Sequence, residues 1–254
     1  MLLEQRFEFI DELAALPVTP IRSFSSANAR PAHNINSPTA SVLPETVNTF
    51  LPGVSEEIIS DVNLCKLVMH NAATKKFPNQ NQLAEWYQFY LKGLSNIGWA
   101  NDGGIYKNIT VNKIGITLDQ IALDLAMGLI GGSAANALRS VGSKSVEAVK
   151  GSTEATTLLN NVKVLGRQGN YDFAPVWVDN AGQPHMIMSF ASLDASERTK
   201  NILFWKTTRQ TTVIKSASSH LYLDNSIFGA LRSSLRAKYL ASAEKFIIDL
   251  PDLD

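Results

Sequence analysis

From Ser55 onward, apolar residues recur at helical spacing. Ile58, Val62, Cys65 and Met69 share one face at four- and three-residue steps, behind Ser55 as N-cap and Glu56 and Glu57 in the first turn. This predicts a helix with Cys65 pointing inward. A second helix begins near Asn79 or Asn81 and carries Leu83, Trp86, Tyr87, Phe89, Tyr90, Leu94 and Ile97. It stops at Gly98, where a left-handed residue ends the turn. Pro78 sits in the short connection, so the two helices form a hairpin. Asn101-Asp102-Gly103-Gly104 then reads as a turn into a short strand reaching from Ile105 to Ile116. Thr117 with Gln120 three residues on is a capping box, predicting one helix from about Leu118 to Arg139. Ser143 or Ser145 caps another, to about Asn160.

The period changes to two in the last third. Tyr171 to Val178 and His185 to Phe190 read as strands around the hairpin turn Asp179-Asn180-Ala181-Gly182. Ile202 to Trp205 and Thr211 to Ser216 add strands, and Leu221 to Leu223 extends the sheet. An amphipathic helix from about Asn225 to Ala243 and an edge strand at Phe246 to Leu250 close the chain. Helices first and strands later predict an α+β fold, with N-terminal and central helices packed against a mostly antiparallel C-terminal sheet. Upstream, MLLEQRFEFIDELAAL is an amphipathic helix. Pro17, Pro20, Pro31, Pro38, Pro44 and Pro52 then keep the chain to about Gly53 out of helix, as an extended arm wrapping the domain or standing free of it. The organisation expected is residues 1–54 as N-terminal helix and Pro-rich arm, and residues 55–254 as a single α+β domain.

Charge and composition mainly exclude. The 254 residues carry 23 basic and 23 acidic side chains, a formal net charge of +0, without the clustered Lys and Arg that phosphate neutralisation needs. Nucleic acid is therefore not an expected partner. A single cysteine excludes an internal disulfide, and the four scattered histidines lack zinc spacing, so no metal is expected. Charged residues interrupt the first apolar run, unlike a secretory signal. The expected location is cytoplasmic, or secreted by a route that needs no cleavable signal.

The least ordinary stretch is LAMGLIGGSAANAL, from Leu125 to Leu138. It falls short of the roughly 20 apolar residues a membrane span requires, and Asp119 and Asp124 share its predicted helix. Gly128 and Gly132 form a Gly-x-x-x-Gly pair, which lets a second helix approach closely. Two readings stand: core packing, or an apolar cavity for an acyl chain walled by Leu125, Gly128, Leu129 and Gly132. Cys65 also has two: an inert core thiol, or the attachment point of a fatty acyl group. No Gly-x-Ser-x-Gly elbow occurs, and no catalytic residue is assigned. A His-dependent hydrolase remains the alternative, with His185 near Ser189, or His220 near Asp224, as its only material.

Trp86-Tyr87-Gln88-Phe89-Tyr90, then Ile97-Gly98-Trp99, an apolar helix, Ile202-Leu203-Phe204-Trp205 and Leu235-Arg236-Ala237-Lys238-Tyr239 resemble bacterial virulence-associated proteins of the Erwinia virulence factor type. The resemblance spans roughly Ser55 to Leu250. It implies an α+β protein whose relative carries a fatty acyl group on a cysteine, although here no cysteine follows Cys65. The function it implies is non-enzymatic and toxin-like, exercised through an apolar ligand, a membrane surface or a host protein. A self-assembling structural protein, a homo-oligomer joined through the N-terminal arm, is a further alternative.

Overall fold

A computed structural model describes residues 1–17, 33–79, 82–130, 132–160, 170–193, 201–209, 211–250 and 253. The N-terminal amphipathic helix is α1 (Leu3–Glu12), anchored by the buried Ile10. Of the Pro-rich stretch, residues 18–32 lie outside the described residues. Residues 39–50 correct the expectation of an arm lying over the domain or free of it: they are the hairpin β1 (Thr39–Leu43) and β2 (Thr46–Phe50), buried at every position. Pro44 and Glu45 make its two-residue turn, with Glu45 at φ +59°.

The helical hairpin is α2 (Glu56–Lys76) and α3 (Leu83–Asn96). The Ser55 hydroxyl accepts from the Ile58 amide, and Gly98 ends the second helix at φ +108°. A Cβ on Gly98 would lie 3.0 Å from that of Phe228, so shape and conformation both demand glycine. The next strand is longer than predicted: β3 (Trp99–Val111) runs through the expected turn, whose Asn101–Gly104 segment is a bulge.

Thr117 and Gln120 form the capping box, but the helix it begins is interrupted, giving α4 (Leu118–Ile130) and α5 (Gly132–Gly151). The two helices double back on each other, bringing Arg139 of α5 within 2.8 Å of Asp124 of α4. Ser145 lies inside α5 rather than at its start, and α6 (Thr153–Leu159) follows. The late hairpin β4 (Asn170–Val178) and β5 (Pro184–Leu193) is as predicted. Ile202–Phe204, expected as strand, is one 3-10 turn. β6 (Thr212–Leu223) is continuous, and α7 (Asn225–Ala243) and β7 (Ile248–Leu250) complete the chain.

Seven strands among the described residues make one sheet, in the order β3-β6-β5-β4-β2-β1-β7. Only β2 and β4 pair in parallel, so the fold is α+β with a mostly antiparallel sheet. The sheet draws on both the 1–54 and the 55–254 segments. One face packs against α1, α2, α3 and α7, the other against α4, α5 and α6. Strand alternation divides the side chains: Met186, Met188 and Phe190 face the first helical layer, Ile187, Ala191 and Leu193 the second.

Candidate functional site

Where the far end of β3 meets α4, an open groove of about 440 Å³ faces out of the second layer. Its walls follow from two periodicities. Ile109 and Val111 are two apart on a strand, and Ile121 and Leu125 four apart on a helix, so each pair shares a face. Ile116, half-buried, lines it as well. Thr207, itself buried, pins this connection from a distant part of the chain: its hydroxyl donates to the Lys113 carbonyl at 2.6 Å and accepts from the Ile116 amide at 3.0 Å. Backbone bonds from Gly115 to Thr207 and from Thr207 to Ile116 complete the clasp.

Lys113 and Asp124 stand on the rim. Asp124 is held by Arg139, 2.8 Å away, while among the described residues no side-chain partner holds the Lys113 ammonium. Ile114 projects beside it, exposed. Apolar walls with a cation at the mouth suit an amphiphile: an alkyl chain inside and an anionic head outside. The volume falls within the range of small-molecule sites, roughly 300–1,000 Å³.

Of the residues singled out in the sequence, Leu125 lines this groove and Leu129 packs, half-buried, on the second-layer core. Gly128 faces solvent, and a Cβ there would meet nothing within 4 Å. The close approach expected of it occurs at Gly142, where a Cβ would stand 2.6 Å from Phe173 Cζ and 2.9 Å from Leu123 Cδ1. Gly132 opens α5, and its surroundings lie outside the described residues.

Cys65 is far from the groove, fully buried in the first-layer core. Burial, its main influence, pushes the thiol well above its ordinary range, so thiolate is scarce. Maleimide should therefore label Cys65 at least ~100-fold more slowly in the native protein than in denaturant, tracking global opening. Equal rates would place the thiol at the surface. An acyl group on Cys65 would have to be attached before the core closes.

The histidine arrangements expected for a hydrolase do not form. His185 and Ser189, four positions apart on β5, are separated by about 13 Å along the strand. Asp224 caps α7, accepting from the Ser226 and Ile227 amides, and does not bond His220. Instead His185 and His220 bond each other at 3.1 Å. Among the described residues no group of three or more His, Cys, Asp or Glu could hold a metal, and no helix is long and apolar enough to cross a membrane.

No protein family profile matches the chain, nor does any curated protein. Among solved structures it is similar to the Evf virulence factor at 10% identity, over 96% of this chain and 89% of that one, with a TM-score of 0.34. It is also similar to a delta-endotoxin at 13% identity, over 83% and 90% of the two chains, with a TM-score of 0.32. At such scores neither likeness carries an argument about this chain's chemistry.

The groove's other wall escaped the sequence reading. Ile109 and Val111 were legible as strand residues, but nothing local joins them to Leu125; Thr207 does.

Proposed function

We propose that this chain is a non-enzymatic, virulence-associated, toxin-like protein that works by seating the alkyl chain of a free fatty acid in the β3–α4 groove, its carboxylate against Lys113. The observation that carries this is the groove: apolar walls from Ile109, Val111, Ile116, Ile121 and Leu125, lined also by Lys113, whose ammonium has no side-chain partner among the described residues. The toxin-like setting is supported separately, by the sequence resemblance between Ser55 and Leu250. Each methylene moved from water into the groove contributes about 0.8 kcal/mol, so two suffice for tenfold in affinity.

The test is titration of carboxyl-¹³C-labelled palmitate followed by NMR, with neutral and anionic phospholipid vesicles sedimented in parallel. Wild-type protein should bind palmitate, Leu125→Asp should bind at least tenfold more weakly, and Lys113→Glu should lose the shift of the bound carboxyl signal. Thermal melts check that both variants are folded. Binding to vesicles but not to palmitate would move the reading to a membrane surface. Wild-type affinity in Leu125→Asp would remove the groove from the function.

A further inference from the structure

At the opposite end of β3, four side chains from different elements form a continuous chain of polar contacts, two of them hydrogen bonds and the last an ion-pair contact. Asp179 closes the β4–β5 turn by accepting with Oδ1 from the Ala181 and Gln183 amides at 2.9 and 2.8 Å. Its Oδ2 meets His185 Nε2 at 3.3 Å. His185 Nδ1 lies 3.1 Å from His220 Nε2, and His220 Nδ1 lies 3.6 Å from Asp102 Oδ2. Sheet register dictates the meeting: His185 pairs across with both Trp177 and Tyr222, and His220 with Ile187, so all share one face. The Trp177 indole lies parallel to both imidazoles, at 5.2 and 5.6 Å between centroids. The imidazoles are themselves within 19° of parallel.

Counting protons shows what the chain does. Its three contacts need three N–H groups spread over four ring nitrogens: one toward each carboxylate and one between the rings. Two neutral imidazoles bring only two, so one carboxylate faces a lone pair. Two imidazolium rings bring four, which sets two N–H groups head to head across 3.1 Å. Only the pair with a single extra proton fills every contact, and the flat indole beside it favours that cation.

We propose that Asp179, His185, His220 and Asp102 form an acid-sensitive clasp: with one proton on the histidine pair it ties the β4–β5 turn to the bulge that begins β3, and a second proton opens it. Among the described residues, Asp102 from the bulge, Asp179 from the turn and Tyr222 from β6 are the titratable groups facing the imidazoles. Burial, then the charge of His185, holds the His220 pKa below its ordinary 6.5, against the pull of Asp102. The folded state thus resists the second proton. Closed while the pair carries one proton, the clasp weakens as pH falls through the depressed value, where the second proton adds. Asn101–Gly104, with glycine at φ +114°, is the segment released.

The test follows the imidazole nitrogens of the full chain by long-range ¹H–¹⁵N NMR from pH 8 to 4, with amide protection factors for residues 101–106 over the same range. Two separate steps are expected, the second below 6.5, with protection falling at least tenfold across it. His220→Gln can donate to Asp102 and accept from His185 without titrating, so its protection should stay flat. Asp102→Asn, exposed and expected to fold, should show low protection already at pH 7.5. Both histidines titrating independently in one step, or a protection step unchanged in His220→Gln, would overturn the clasp.

Discussion

Replacing Asp172 by alanine should lower unfolding free energy by about 3–5 kcal/mol, because it strands a buried ammonium. Lys66 on α2 lies 2.8 Å from Asp172 on β4, and the two side chains are 1% and 2% exposed. Lys66 also donates to Asn48 Oδ1 at 2.8 Å; Asn48 donates to Asn63, Asn63 to Ser41, and Ser41 to Asp249. One turn along α2, His70 meets Glu45, which Asn170 also reaches. Burial is the main influence on Lys66 and pushes its pKa down, while Asp172 opposes the shift. Without Asp172 nothing comparable opposes it. The unfolded chain then holds a proton that the folded chain rejects, so the variant's deficit should shrink as pH rises toward the free lysine value. Urea unfolding at pH 7 and pH 9.5 measures both effects. Lys66→Met with Asp172→Leu removes the charges together and should recover most of the loss. A single-variant loss under about 1 kcal/mol would mean that water reaches the pair.

That polar seam also shows where sequence reading ended. The apolar period Ile58, Val62, Cys65, Met69 marks one inward face, yet α2 is covered on every side from Asp61 to Ala73. Asn63, Lys66 and His70 recur at three and four residues, and such a polar stripe ordinarily marks a solvent face. It turns inward only because Ser41, Asn48 and Asp172, from three separate strands, supply its partners. The β1–β2 hairpin was hidden differently. Pro38 and Pro44 suggested irregular chain, but one precedes the first strand and the other sits in the turn, where neither interrupts a ladder. Signals confined to a few residues held: Ser55, Gly98, the Thr117–Gln120 box and the Asp179–Gly182 turn. The short run Ile202–Trp205 could not be resolved, because four apolar residues fit a strand or a helical turn equally well. Of the groove's lining the sequence names Leu125 alone; the remainder depends on Thr207 holding the 113–116 connection in place.

Trp86→Ala should be comparably damaging, at about 3–5 kcal/mol, and for a different reason. Trp86 is fully buried where α3 crosses α2 and the sheet. Its ring lies 5.2 Å from His70, 5.1 Å from Tyr90 and 5.3 Å from Phe190, which ties both hairpin helices to β5. Its indole N–H donates to Thr74 Oγ1 at 3.1 Å. Removing the ring opens a cavity whose walls belong to three rigid elements, so little collapse is available to fill it. The lost hydrogen bond adds only about 1 kcal/mol. Trp86→Phe separates the two contributions: it keeps an aromatic ring among His70, Tyr90 and Phe190, gives up the bond to Thr74, and should cost about 1–2 kcal/mol. Denaturant midpoints at constant m-value give the ranking directly. If Phe proves as damaging as Ala, the bond to Thr74 rather than the packed ring holds the helical hairpin to the sheet.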